Sequence, residues 1–154
     1  MTCIVGANWS RRDTSPAFAL GSIGRDESGK KYKYVLYNDG AGDVAAVAGN
    51  VCYYYAPSGA SAGATTTVTS DLSDSAGAGA GVLQAALANG EYGWVQITGP
   101  ATLTTALTAG ADGNALTPVG ATDGTLDVSA LVTDHVCAIA IDASAKIVMC
   151  CFPE

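Results

Sequence analysis

The sequence predicts a mainly β protein, a single-domain small β-barrel or sandwich with an extended N-terminal arm. Three observations predict it. Runs rich in Val, Ile, Thr and Tyr are punctuated by Gly, Asp and Pro about every ten residues, the spacing of sandwiches and barrels. Charged residues make up only 14% of the chain, below the roughly one-quarter usual in soluble domains, so small neutral residues must cover much of the surface. The chain closes on two apolar runs, residues 136–141 and 146–152, on either side of a short turn, which reads as a hairpin.

A length of 154 residues suits one domain, and no long charged or proline-rich hinge divides it. A chain of this size buries roughly two-thirds of its unfolded surface and needs no metal or disulfide to hold together.

Residues 1–17 mix Trp9, Arg11, Arg12 and Pro16 without helical or strand periodicity and read as an arm that docks on a neighbour. In residues 30–36, Tyr32, Tyr34 and Leu36 alternate with Lys31, Lys33 and Val35, which predicts a strand with one polar side, stopped by Asn38-Asp39-Gly40. Residues 44–55 resume β-formers and end in Tyr53, Tyr54 and Tyr55, which cannot all face inward on one strand. Residues 58–64 read as a loop, 65–70 as a Thr-rich strand, and 75–81 as a second loop of small residues. Residues 82–87 and 92–98 form a predicted hairpin through Asn89-Gly90, the dipeptide favoured in tight turns. Residues 101–107, 115–117 and 125–128 are shorter strand candidates. In the closing hairpin, a turn at residues 142–145 sets Ile141 opposite Lys146, Ile139 opposite Val148 and Cys137 opposite Cys150. With Phe152, these residues form the predicted core face.

The chemistry-bearing residues do not assemble into a catalytic site. The net charge is −7, and a general nucleic-acid binder needs clustered basic charge, so none is expected. Arg11, Arg12, Arg25, Lys30, Lys31 and Lys33 hold most of the basic charge, all in the first quarter of the chain. Residues 92–111 carry no charge, but Gly93, Gln96, Gly99, Pro100 and several threonines break any membrane span. The short apolar run at residues 3–7 precedes the arginines, opposite to a secretory signal, so export is not expected. Cys3, Cys52, Cys137, Cys150 and Cys151 are odd in number and scattered, and a single His accompanies them, so no metal or cofactor is expected. That residue, His135, lies beside Asp134 but has no nucleophile elbow to work with. Gly77-Ala78-Gly79-Ala80-Gly81 lacks the Gly-Lys-Ser/Thr ending of a phosphate loop and reads as a flexible connector. The aspartates fit turns better than calcium loops.

Against this background the stretches Gly29-Lys30-Lys31-Tyr32-Lys33-Tyr34-Val35, Val68-Thr69-Ser70-Asp71-Leu72-Ser73-Asp74, Gly81-Val82-Leu83-Gln84-Ala85-Ala86-Leu87 and Ala138-Ile139-Ala140-Ile141-Asp142-Ala143 carry a resemblance. The most distinctive stretch is Gly90-Glu91-Tyr92-Gly93-Trp94-Val95-Gln96. Together they make residues 18–152, within a domain of residues 18–154, resemble the capsid decoration, or cement, proteins of tailed bacteriophages. That resemblance implies a β-rich decoration domain without catalytic residues, made in the bacterial host cytoplasm. It implies a homotrimer on the outer surface of the virion that clamps neighbouring copies of the major capsid protein. The residue types suited to capsid or subunit contact are Trp9, Arg11, Arg12, Phe18, Lys30, Lys31, Lys33, Tyr53, Tyr54 and Tyr55. The alternative is a carbohydrate- or receptor-binding β-module of a virion fibre or cell surface, stacking sugars on Trp9 and Tyr53 to Tyr55.

Overall fold

The computed structural model describes residues 4–56 and 66–154. It is nearly all β. The strands in order are β1 (Ile4–Val5), β2 (Ile23–Arg25), β3 (Lys31–Tyr37), β4 (Val51–Tyr55) and β5 (Thr67–Thr69). A short 3-10 turn (Leu72–Asp74) leads into β6 (Ser75–Leu83) and β7 (Tyr92–Thr102), followed by β8 (Ala115–Thr117), β9 (Asp127–Val128), β10 (Ala138–Asp142) and β11 (Ile147–Cys151). Strands β3, β5, β4, β6 and β7 pair in that order, and β7 returns to β3, closing a five-stranded barrel. Only the β3–β5 contact around this ring is parallel. Outer strands extend the sheet, β2 and β1 beyond β3, and β11, β10, β8 and β9 beyond β7.

Strand β7 joins the two halves. Its first part pairs with β3 through Tyr34 opposite Trp94, and its second part pairs with β11 from Thr98 to Thr102. Pro100 lies within this strand, where a missing N–H would normally break the ladder. The bonds Phe152 N–H to Ile97 O and Leu103 N–H to Lys146 O aim the odd-numbered positions of β7 at β11. Pro100 therefore turns its nitrogen to the opposite edge, where β3 has already ended at Lys31, opposite Thr98.

The main core gathers Val35, Tyr37, Val51, Tyr53, Val68, Leu83, Val95 and Ile97 with Leu116, Leu126, Val148 and Phe152. Full burial of each such aliphatic or Phe side chain contributes roughly 1.5–3 kcal/mol before entropy is counted. A second, aromatic cluster of Tyr32, Tyr34 and Trp94 lies apart from it.

Several expectations are corrected. Strand β3 has no polar side: Lys33 is buried with Val35 and Tyr37. Residues 75–81 are not a connector but most of β6, paired with β4. The ladder is irregular here, with register shifts on either side of Tyr53 opposite Gly79, and the small residues let the strand follow them. A Cβ at Gly79 would come within 2.7 Å of the Phe152 ring and 2.8 Å of the Cys137 sulfur, so the bare backbone is what lets this wall approach them. The β6–β7 hairpin exists, with Leu83 opposite Val95. Its strand part stops at Leu83 and the connection runs over residues 84–91, with Asn89-Gly90 as a local turn. Residues 44–50 and 103–107 are not strands, while β7 runs past Thr98 to Thr102. The predicted loop at 58–64, Thr65 and Cys3 lie outside the described residues.

The closing hairpin is present one residue out of the predicted register: Ala138 faces Cys150, Ile139 faces Met149 and Ala140 faces Val148. Lys146 adopts a left-handed φ of 60° and bonds back to Ala143, so the turn is built one residue later than expected. A bulge between Ala140 and Asp142 absorbs the difference. A slip of one residue exchanges faces. Ala138, Ala140, Val148 and Cys150 are buried, whereas Ile139, Ile141 and Met149 point outward.

Candidate functional site

The N-terminal segment lies along this chain's own barrel. Ile4 pairs with Gly24 of β2, and Asp13 exchanges backbone hydrogen bonds with Tyr92 at 3.0 and 2.8 Å. The Trp9 ring stacks on Tyr32 at 4.3 Å and meets the Trp94 ring edge-on at 5.0 Å. Gly24 makes room for it, since a Cβ there would stand 2.4 Å from the indole. Phe18 packs against Tyr34 at 5.2 Å and Trp94 at 5.3 Å, and the Arg11 guanidinium lies 5.5 Å from the Phe18 ring centre. Arg11 also grips Asp13 through Nε and Nη2 at 2.9 and 2.6 Å, while the Tyr34 hydroxyl donates to the same carboxylate at 2.6 Å. Burial pushes the Asp13 carboxyl up, but the bonds from Arg11 and Tyr34 outweigh it and hold the group below its usual range. Burial and the Asp13 bond push Tyr34 up to about 12. Arg12 stays exposed, 3.8 Å from Glu91.

The remaining candidates separate. Tyr53 is buried, and its hydroxyl accepts the Thr125 N–H at 3.0 Å. Tyr54 is also buried and accepts a 3.0 Å bond from the Lys33 ammonium, which lies 5.1 Å from the centre of its ring. Burial pushes the Lys33 ammonium down and Tyr54 up to about 12. Tyr55 is half-buried, Lys31 pairs with Glu154, and Lys30 is half-buried beside a cleft. With Tyr53 and Tyr54 inside the fold and Trp9 flat on Tyr32, these aromatics do not form an open sugar-stacking platform.

Sequence reasoning missed a surface. Ala115, Ile139, Met149 and Pro100 stand in register across β8, β10, β11 and β7, and all four are exposed on the outer side of the sheet. Ile139, Ile141 and Met149 are each more than 40% exposed. Val136, Leu131 and Val132 add exposed apolar side chains before β10. Asp112 and Asp134 hold the neighbouring loops, Asp112 accepting the Ala143 N–H at 2.8 Å and Asp134 the Leu131 N–H at 2.9 Å. The alternation in residues 136–141 carried the signal for this row, but the assumed turn reversed its sense.

A cleft of about 580 Å³ opens beside Pro100 and Thr102 of β7, with Lys30, Gln84, Gln96 and Ile147 in its walls. Among the described residues, no group of three His, Cys, Asp or Glu could hold a metal ion, and no helix is long and apolar enough to cross a membrane. Cys52, Cys137 and Cys150 are free and buried, and burial pushes Cys150 up to about 12. Cys151 is free and exposed. The chain matches no protein-family model, no curated protein and no solved structure.

Proposed function

We propose that the protein is a non-enzymatic structural component of a phage virion, a homotrimer that binds the outer capsid surface and cements neighbouring major capsid proteins. The observation that carries this reading is the in-register apolar row of Ala115, Ile139, Met149 and Pro100, exposed on the outer strands that extend from a closed barrel. An exposed apolar face of this kind marks a protein contact more often than a small-molecule site. The fold suits the role, because a shell presents many symmetric copies of one site and weak contacts repeated over it add up by mass action. The residues resembling cement proteins include Tyr92 to Gln96, the stretch of β7 that pairs with β3.

Self-association is assigned to the apolar row, and the capsid contact to the exposed Arg11 and Arg12 of the N-terminal segment. Sedimentation of the purified chain should give a trimer, and Ile139→Glu with Met149→Glu should give a folded monomer. The same variant should lose most of its binding to expanded heads in a co-sedimentation assay. A wild-type monomer, or a double variant that trimerises and binds as before, would contradict the assignment.

A further inference from the structure

The cleft beside Pro100 carries an inference independent of the capsid reading. We propose that it is a binding site for a small hydroxyl-rich carboxylate of the sugar-acid class, such as a uronic acid. Its volume of about 580 Å³ is that of a small-molecule site, with room for one or two sugar rings.

The charge in the cleft is opposite to that of the molecule. The chain has 14 acidic and 7 basic residues, yet no carboxylate lines this cleft and Lys30 does. Among the described residues no acidic group pairs with the Lys30 ammonium. Its main chain is fixed, because Asp26 Oδ1 accepts the Lys30 N–H at 3.0 Å and the Lys30 carbonyl accepts the Asp26 N–H at 3.1 Å. Its stem lies over Gly99, where an added Cβ would stand 2.9 Å from Lys30 Cγ. Lys146, whose ammonium donates to the carbonyl of the cleft residue Thr104 at 2.9 Å, adds a second positive charge nearby.

The neutral groups complete the pattern. Gln96 uses its amide nitrogen on the carbonyls of Thr98 and Pro100 at 3.1 and 3.0 Å, and Gln84 donates to the Val82 carbonyl at 2.9 Å. Both carboxamides are thereby oriented, and their oxygens remain as acceptors for ligand hydroxyls. Thr102 is exposed at the cleft, and Ile147 gives an apolar wall for the C–H face of a ring. A cation for a carboxylate, fixed acceptors for hydroxyls and a short apolar wall are the requirements of an acidic sugar.

The test is a titration of the full-length chain followed by amide NMR, with glucuronate, glucose, acetate and inorganic phosphate as separate probes. Glucuronate should shift the signals of Lys30, Gln84, Gln96 and Thr102 and should bind more tightly than any other probe. Lys30→Gln should weaken that binding about tenfold or more, the loss expected for a charge-assisted contact, without moving the thermal midpoint. Arg25→Gln, at an exposed arginine outside the cleft, should leave binding unchanged. The proposal is overturned by an absence of shifts with glucuronate up to about 10 mM, by equal binding of glucose or phosphate, or by a Lys30→Gln variant that binds as wild type.

Discussion

Asp13 concentrates the attachment of the N-terminal segment in one side chain, because Arg11, Tyr34 and the backbone pairing with Tyr92 all meet there. Its carboxyl is held below the usual range, so its contribution is complete above the unfolded value near pH 4 and is lost as pH falls through the lower folded value. Acid titration monitored by tryptophan fluorescence should therefore show Trp9 leaving Tyr32 only below about pH 4, and Asp13→Asn should abolish that step. A transition above pH 5 that survives in Asp13→Asn would contradict this. Asp71 has the same sign. Burial raises it, but bonds from the Ser73 hydroxyl and the Gly42 and Ser73 N–H groups prevail, and its contribution to global stability should also fade only in acid. The thiols give a second test at this scale. Of the four described cysteines, Cys151 should react first with iodoacetamide in the native protein, while Cys52, Cys137 and Cys150 should react only on unfolding. Tyr53→Phe should cost about 1–3 kcal/mol in denaturant unfolding, because it removes a buried hydroxyl that donates to the Thr122 carbonyl and leaves the Thr125 N–H only a 3.4 Å contact to that same carbonyl.

Strand β6 shows how an element can be invisible in composition and visible in pattern. Glycine and alanine are poor strand formers, so residues 75–81 read as a linker, yet their alternation has the period of a strand. What decides between the two is tertiary: Gly79 faces Phe152 and Cys137, which lie more than fifty positions away in the chain. Gly79→Val should destabilise the fold by several kcal/mol through overpacking, whereas Ala76→Val, exposed on the same strand, should stay within about 0.5 kcal/mol. Equal costs for the two substitutions would contradict the packing described. The closing hairpin was legible as a hairpin because its two apolar runs flank a turn, but its register was not. The left-handed Lys146 and the bulge at Ile141 have no strong sequence signal, and together they turn Ile139 and Ile141 outward, while Cys137, Val148, Cys150 and Phe152 reach the core as expected. Burial of Lys33 was equally hidden, because its partner, Tyr54, comes from β4, which the sheet order sets across β5 from β3.

For the whole molecule, the β class was legible from turn spacing and low charge, and the closed barrel is one of the two architectures those features allow. The site was less legible. Of the expected contact residues, Arg11 and Arg12 remain exposed, Lys33, Tyr53 and Tyr54 are inside the fold, and Trp9 and Phe18 hold the N-terminal segment to the barrel. The apolar row takes their place as the main outward-facing surface, and its exposure follows from the hairpin register. The central claim is that this barrel decorates a capsid. It is tested most directly by mixing the purified protein with undecorated expanded phage heads and imaging them by cryo-electron microscopy. The account predicts saturable, symmetric density on the outer capsid surface, with β10 and β11 at the contacts between copies of the chain. Heads left bare at saturating protein would contradict it.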